Sequence, residues 1–199
     1  MKKYYLLFTM LILSVLQSAS AKGNFEKGKD YQVTGPNVNS EPMVEEFFNY
    51  ACSACYSIEG FMTEIKSDYP NLKVKPVPIE LRPSWKIYVK AYFLGEKLGV
   101  LDQSHSQIFH RIHVEKKPFR GEKDMKEFFI ALGVSEKKYD EVNNSFWLKN
   151  KVKQSKLYAQ HHRVGVSPTL LVNQRYKLNN QNLGSYQRIK EAIKEFSGS

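Results

Sequence analysis

Two cysteines, Cys52 and Cys55, are the only ones in the chain, and two residues separate them. Side chains three positions apart on a helix lie on the same face, so the two sulfurs could meet in a small disulfide ring. A thiolate is the nucleophile in disulfide exchange. The pair is therefore a candidate for redox chemistry in which a disulfide passes between this chain and another molecule.

The spacing alone leaves three other roles open for the pair. A structural disulfide would close a loop so short that it removes little entropy from the unfolded chain, and it would stabilise the fold weakly. A zinc site needs about four ligands, and only histidines could complete it, although we expect these to be solvated or part of the core. A copper-carrying pair is the third alternative, because soft thiolates suit Cu(I). The histidines are His105, His110, His113, His161 and His162.

The residues on either side of the cysteines follow an α/β pattern. Residues 43–50 carry apolar side chains on both faces, which is typical of a buried central strand. Helical spacing of apolar residues begins after it, at Cys52. Residues 72–81 form the next predicted strand, in which Pro76 and Pro78 indicate an edge or an irregular stretch. The order strand, helix, strand implies a right-handed parallel crossover.

These elements place the two cysteines unequally. Cys52 lies where the buried strand ends and the helix begins, facing unpaired backbone N–H groups and the positive end of the helix dipole, which both favour its thiolate. Cys55 lies one turn inside the helix and lacks that exposure. We therefore assign Cys52 as the nucleophile and Cys55 as the resolving thiol, which closes the ring to release a substrate.

Helical patterns dominate residues 84–163. We expect about four helices there, the last of them capped by Ser135 and continuing past Phe146 and Trp147. We interpret the aromatic stripes on these helices as core. The segment is therefore predicted to be an all-helical insertion.

The last part of the chain returns to the α/β pattern. Residues 169–173 and 175–178 are predicted to form a hairpin, and residues 186–196 an amphipathic closing helix. The predicted fold class is α/β, a small mixed sheet with an inserted all-helical domain. The predicted parts are residues 22–83 and 164–199 for the sheet domain and residues 84–163 for the insertion.

Residues 1–21 have the pattern of a secretory signal peptide. A basic start at Lys2 and Lys3 precedes an apolar run too short for a permanent membrane span, and a small-residue site ends at Ala21. Cleavage after Ala21 would release the chain into a compartment where disulfides form and persist. A chain of 199 residues can bury a core without a disulfide, so cysteines in that compartment need a redox explanation.

The formal net charge of the chain is +10. Its lysines are scattered among glutamates, and the sequence contains no Lys/Arg block and no nucleic-acid-binding motif. We therefore expect a solvated cationic surface and no nucleic-acid partner.

A second motif, Gly165-Val166-Ser167-Pro168-Thr169, precedes the first strand of the predicted hairpin. Proline is a poor partner in a sheet, and at the start of a buried strand it often marks a turn or a cis bond. If the Ser167–Pro168 bond is cis and lies beside Cys52, the backbone of Ser167 could pair with an extended substrate. An ordinary trans proline that merely starts the strand is the alternative.

Taken together, these motifs resemble the DsbA family of exported thiol–disulfide oxidoreductases. Residues 46–56, EFFNYACSACY, resemble the family segment E-F-F-x-[FY]-x-C-x-x-C-Y, and residues 168–173, PTLLVN, resemble P-[AT]-x-x-V-N. Residues 28–31 and 138–146 resemble the start of the family fold and part of its helical domain. The resemblance covers nearly all of the mature chain and implies a thioredoxin-like fold interrupted by a helical domain.

The resemblance also implies an activity and its partners. The oxidised Cys52–Cys55 pair would be donated to reduced or unfolded proteins newly exported to the periplasm, and a membrane quinone-coupled partner resembling DsbB would reoxidise it. Pro168 would be the family's cis-proline, with Ser167 beside it for substrate docking. Glu46 would be a buried acid beneath the pair, where burial could raise its pKa and let it move protons.

We expect a monomer with no organic cofactor and no metal. A disulfide reductase or isomerase could use the same cysteines, but that role usually comes with a dimerisation segment, and none is evident. A Cu(I)-binding metallochaperone is the alternative from a different functional class.

Four departures from the family pattern concern redox strength and substrate preference. Ser53-Ala54 replaces the dipeptide Pro-His, so no imidazole can assist Cys52, and we expect a weaker oxidant than Pro-His relatives. Ser167 stands where valine is common. Gln174 replaces a glycine, and Pro76 falls where some relatives carry a lysine near the buried acid.

Overall fold

The computed structural model describes residues 25–36 and 41–199, and the predicted signal peptide of residues 1–21 lies outside the described residues. In the described part, five strands form one sheet in the order β1-β5-β4-β2-β3. The strands are β1 (Tyr31–Val33), β2 (Met43–Phe48), β3 (Lys73–Pro78), β4 (Thr169–Val172) and β5 (Tyr176–Leu178). The helices are α1 (Ser53–Asp68), α2 (Lys86–Leu98), α3 (Leu101–His113), α4 (Glu122–Ala131), α5 (Glu136–Asn143), α6 (Phe146–His161), α7 (Asn180–Leu183) and α8 (Tyr186–Ser197), with one 3-10 turn at Pro83–Trp85.

Strand β2 lies in the interior of the sheet. It pairs in parallel with β3 and antiparallel with β4, which confirms the predicted parallel crossover. Strand β3 is an edge strand, as Pro76 and Pro78 indicate, and β4 and β5 form the predicted hairpin. The sequence pattern does not predict β1, because a strand of three residues is too short to show an alternation.

Helices cover both faces of this sheet. Successive side chains of a strand point to opposite faces, so Val44 joins an apolar cluster with Ile65 of α1 and Ile193 of α8. Phe47, on the opposite face, clusters with Leu171 of β4 and Ala159 of α6. The end of β2 is therefore held from both sides, and α1 starts from a fixed point.

The helical segment contains five α-helices, where the sequence predicts about four. The difference lies after Ser135, which caps α5 as predicted by accepting a hydrogen bond from the backbone N–H of Lys138. Helix α5 ends at Asn143, and Ser145 caps a new helix by accepting from the backbone N–H of Leu148. The apolar spacing continues across this break, but a serine whose side chain accepts a hydrogen bond from the following turn favours the start of a new helix. The boundaries predicted at residues 84 and 163 stay a prediction.

Aromatic side chains make up nearly half of the buried core residues of this helical segment. Phe109 and Phe129 are buried there with Tyr139, and Phe48 and Tyr50 from the end of β2 join the same cluster. The interpretation of the aromatic stripes as core is therefore correct for most of them. It is wrong for the first residue of α6, Phe146, whose side chain is 77% exposed.

The fold class is confirmed as a mixed sheet with a helical insertion between β3 and β4. No helix in residues 25–36 and 41–199 is long and apolar enough to cross a membrane.

Candidate active site

Cys52 is the N-cap residue of α1, so it lies at the point predicted from the sequence. Its backbone is extended, and its Sγ accepts a hydrogen bond from the backbone N–H of Cys55 at 3.3 Å. Cys52 is 8% exposed and Cys55 is completely buried. Both are free thiols in this structure, and only Cys52 can be reached from outside.

The two thiols also differ in acidity. The hydrogen bond from the Cys55 thiol, together with backbone N–H groups of the first turn and Ser167, lowers the pKa of Cys52 to about 6, while burial opposes this. Donating that hydrogen bond, and then burial, raise the pKa of Cys55. At neutral pH Cys52 is therefore mainly the thiolate, which is the reactive form, and Cys55 carries the proton.

The loop before β4 brings Ser167 and Pro168 against the cysteines. The Ser167–Pro168 peptide bond is cis. Cys52 Sγ lies 3.4 Å from the backbone oxygen of Ser167, and the Ser167 hydroxyl lies 2.9 Å from the Cys55 sulfur. Ser167, which stands where valine is common in the family, thus contacts both thiols, and its hydroxyl contacts the buried Cys55.

Helix α7 supports this loop, and the sequence analysis misses it. Asn180 donates from its side chain to the backbone oxygen of Pro168 at 3.2 Å. The signals for this short helix are present in the sequence, because Asn179 caps its start and Gly184 ends it in the left-handed conformation.

Glu46 lies on β2 and is 3% exposed. Its Oε1 has no hydrogen-bond partner among the described residues. Burial, followed by the nearby charges of Glu59 and Cys52, raises the pKa of this carboxyl well above its usual value. Pro76, which replaces the lysine of some relatives, is its register partner on β3, so no cation from that position faces the acid.

Two histidines of α3, which the sequence predicts as solvated or core residues, contact Tyr50 between β2 and α1. His105 Nδ1 lies 2.9 Å from the hydroxyl of Tyr50, and its Nε2 lies 3.2 Å from Glu59 of α1. His113 Nε2 lies 2.7 Å from the backbone oxygen of Tyr50. Their spacing of eight residues puts both on one face of α3, which is the signal that could have found them.

A groove of about 650 Å³ opens beside the cysteine pair. Ala54 and Ser57 of α1 line it together with Val166 and Pro168 of the loop before β4. Its volume is in the range of ligand-binding clefts, and it offers space for a bound chain next to Cys52. No group of three or more His, Cys, Asp or Glu side chains in residues 25–36 and 41–199 is placed to hold a metal ion.

Comparisons with known proteins point to one family. The chain is 26% identical to the thiol:disulfide interchange protein DsbA of Pseudomonas aeruginosa over 199 aligned positions, which cover 98% of this chain and 93% of that protein. It is 30% identical to the DsbA of Burkholderia cepacia over 156 positions, which cover 75% of this chain and 74% of that protein. A search against models of protein families found no match.

Solved structures show the same fold. A crystal structure of a Pseudomonas aeruginosa DsbA variant superposes with a TM-score of 0.81 at 23% identity, covering 88% of this chain and 97% of that one. Proteus mirabilis DsbA in complex with a non-covalently bound peptide, PWATCDS, gives a TM-score of 0.74 at 22% identity, covering 88% of this chain and all of that one.

The fold is therefore thioredoxin-like with a helical insertion, and the two unequal thiols lie at the start of its helix α1. With one relative 30% identical over three quarters of the chain and another matched along 98% of it, this chain belongs to the DsbA family of thiol:disulfide oxidoreductases.

Proposed function

We propose that the protein oxidises the thiols of newly exported proteins by donating its Cys52–Cys55 disulfide. The observation that carries this proposal is the inequality of the two sulfurs. Cys52 is 8% exposed with a pKa of about 6, and Cys55 is fully buried with a raised pKa. A low pKa at the outer position stabilises the reduced protein, which makes its disulfide a good oxidant.

The reaction has two exchange steps. A substrate thiolate attacks Cys52 Sγ of the disulfide, the Cys52–Cys55 bond breaks, and Cys55 leaves and takes up a proton. A second substrate thiolate then attacks the sulfur of the first substrate cysteine, and Cys52 leaves as a thiolate. The substrate loses two electrons and gains a disulfide, and the protein ends as the dithiol. The low pKa of Cys52 favours this second step, because a less basic thiolate leaves faster.

Glu46 is the proposed proton carrier for Cys55. It is buried, is close enough to Cys52 to feel its charge, has an unpartnered oxygen, and keeps its proton at higher pH than an exposed carboxyl does. A protonated acid can supply the proton that the Cys55 thiolate needs when it leaves. Ser167, whose hydroxyl lies 2.9 Å from Cys55, orients that thiol, and the backbone of Ser167 and Pro168 forms the proposed docking edge for the substrate.

The proposed substrates are reduced or unfolded exported proteins, and the proposed reoxidising partner is a quinone-coupled membrane protein resembling DsbB. The structure of the Proteus mirabilis relative with a bound peptide and the groove beside Cys52 support a peptide substrate. The signal-peptide pattern of residues 1–21 supports a periplasmic location, with cleavage after Ala21.

The test is disulfide transfer to a reduced, unfolded protein. The oxidised protein should oxidise such a substrate much faster than glutathione disulfide at the same concentration does, and should become reduced in equal amount. The matched control is the Cys52→Ser variant. A rate no higher than that of glutathione disulfide would show that the proposed function is wrong, and metal content after purification would separately test the Cu(I) alternative.

A further inference from the structure

The groove beside the cysteine pair carries positive charge without any acidic side chain. Lys29, Arg163 and Lys177 line it among neutral residues, and no aspartate or glutamate does. We propose that this groove binds an acidic segment of the substrate close to its reacting cysteine. The proposal rests on the proposed disulfide-donating function and adds the chemical class of the substrate.

Two of these cations have no acidic partner in the described part of the chain. Neither Arg163 nor Lys177 is among the ion pairs formed within residues 25–36 and 41–199. Lys29 differs, because it lies 3.6 Å from Glu26 in an exposed pair. The charges of Arg163 and Lys177 are therefore available to an incoming anion.

Arg163 and Lys177 are also held close to each other. Lys177 Nζ donates to the backbone oxygen of Arg163 at 2.8 Å. Burial and the charge of Arg163 both lower the pKa of Lys177, so each cation raises the free energy of the other. A carboxylate bound between them would relieve this repulsion, and a cationic peptide would add to it.

The two cations lie within reach of a substrate bound at Cys52. The backbone oxygen of Ser167 is 3.4 Å from Cys52 Sγ, and Arg163 precedes Ser167 by four positions, which places their Cα atoms at most about 14 Å apart. An extended peptide advances about 3.3 Å per residue. Acidic residues about two to four positions from the substrate cysteine could therefore reach the pair of cations.

The first experiment compares two sets of three dithiol peptides that differ in one flanking segment. Glutamates, glutamines or lysines occupy the positions two to four residues from the first cysteine, placed before it in one set and after it in another. In one of the two sets, the oxidised protein should oxidise the glutamate peptide at least about fivefold faster than the lysine peptide at low ionic strength. The difference should shrink at about 1 M salt, where charges are screened within about 3 Å.

Charge reversal then assigns the effect to the groove. Arg163→Glu combined with Lys177→Glu should invert the order of the peptides, and Arg163→Gln alone should reduce the preference. The matched control is Lys123→Glu on α4, because this lysine is 92% exposed and does not line the groove. The control should keep the preference of the wild-type protein.

A direct binding measurement separates this proposal from the proposed function. Fluorescence anisotropy with labelled peptides in which serine replaces both cysteines needs no redox step, and the affinities should fall in the order glutamate, glutamine, lysine. Equal affinities, or a preference that Lys123→Glu removes as fully as the groove variants do, would overturn the acidic-substrate proposal. Failure to oxidise even the glutamine peptide would instead contradict the proposed disulfide-donating function. The order of affinities from anisotropy would still decide whether the groove binds acidic segments.

Discussion

At the scale of single residues, we expect the two positions between the cysteines to control how strongly the pair oxidises. Relatives with Pro-His and thioredoxin mark the two ends of the range, with nucleophile pKa values of about 3.5 for a DsbA and about 7 for thioredoxin. The pKa of Cys52, about 6, lies between them. The hydrogen bonds of the first helical turn are present, but Ser53 and Ala54 supply no positive charge.

Restoring the family dipeptide should strengthen the oxidant. Ser53 is the first residue of α1, a position that accepts proline without loss of a hydrogen bond. The double substitution Ser53→Pro with Ala54→His should lower the pKa of Cys52 below about 6 and raise the reduction potential. Thiolate absorbance against pH and equilibration with glutathione measure the two quantities. An unchanged potential would show that residues outside the dipeptide control the oxidising strength.

The two cysteines should fail in different ways when they are replaced. Cys52→Ser should abolish substrate oxidation, because the buried Cys55 cannot meet a substrate. Cys55→Ser should accumulate mixed disulfides through Cys52, because no second thiol of the protein can resolve them. Non-reducing electrophoresis and mass spectrometry locate the adducts. Adducts on Cys55 in the Cys52→Ser variant would reverse the assignment of the nucleophile.

Glu46 should affect stability in a pH-dependent way. Burial raises its pKa, so its favourable contribution to stability is present at low pH and is lost as the pH rises through the folded-state pKa. Glu46→Gln keeps the shape and cannot ionise. The variant should therefore gain stability relative to the wild-type protein as the pH increases from 4 to 8, measured by urea unfolding. Glu141→Gln on the surface controls for net charge, and parallel curves for Glu46→Gln and wild type would contradict the argument.

At the scale of elements, capping residues explain where the helices begin and end. The sequence predicts β2, α1, the hairpin and α8 correctly because each has a clear apolar period or a flanking proline or glycine. The sequence pattern predicts one helix where the structure has α5 and α6. Apolar spacing alone cannot show that the Ser145 side chain accepts a hydrogen bond from the first turn of α6. It misses β1 and α7, whose three and four residues are too few for a period to appear.

The cap at Ser145 should be worth measurable stability. Ser145→Ala removes the hydrogen bond to the backbone N–H of Leu148, which is 3.2 Å long, and should cost about 1 kcal/mol of unfolding free energy. Ser106 is exposed in the interior of α3, where alanine is the better helix former. Ser106→Ala is therefore the matched control and should cost nothing in chemical denaturation. Equal effects of the two substitutions would mean that Ser145 contributes no specific cap.

At the scale of the whole molecule, the redox pair depends on parts of the chain that are far apart in sequence. Residues of β2, α1 and the loop before β4 meet around the two sulfurs, and α3 contacts the same strand end through His105 and His113. Sequence motifs predict that the cysteines and Pro168 belong together. They do not predict the hydroxyl of Ser167 on Cys55 or the cations of the groove, because these contacts depend on how the loop crosses the sheet.

This arrangement should couple the stability of the whole fold to the acidity of one thiol. Folding lowers the pKa of Cys52 from 9.0 to about 6, so the thiolate stabilises the reduced protein above pH 9 by at most about 4 kcal/mol. That contribution is lost as the pH falls from about 9 to below 6. The oxidised protein has no thiol to titrate and serves as the reference. Both forms carry Glu46→Gln, because the Cys52 charge raises the pKa of Glu46 in the reduced protein alone.

Unfolding free energies of the reduced and oxidised proteins, measured by urea denaturation between pH 5 and pH 9, should therefore diverge as the pH rises, in favour of the reduced form. The reduced Cys52→Ser variant should lose this pH dependence, because serine does not ionise in this range. Since the stability difference between the two redox forms sets the reduction potential of the pair, the same experiment links the fold to its oxidising strength. A difference between the forms that stays constant from pH 5 to pH 9 would show that the fold does not stabilise the Cys52 thiolate.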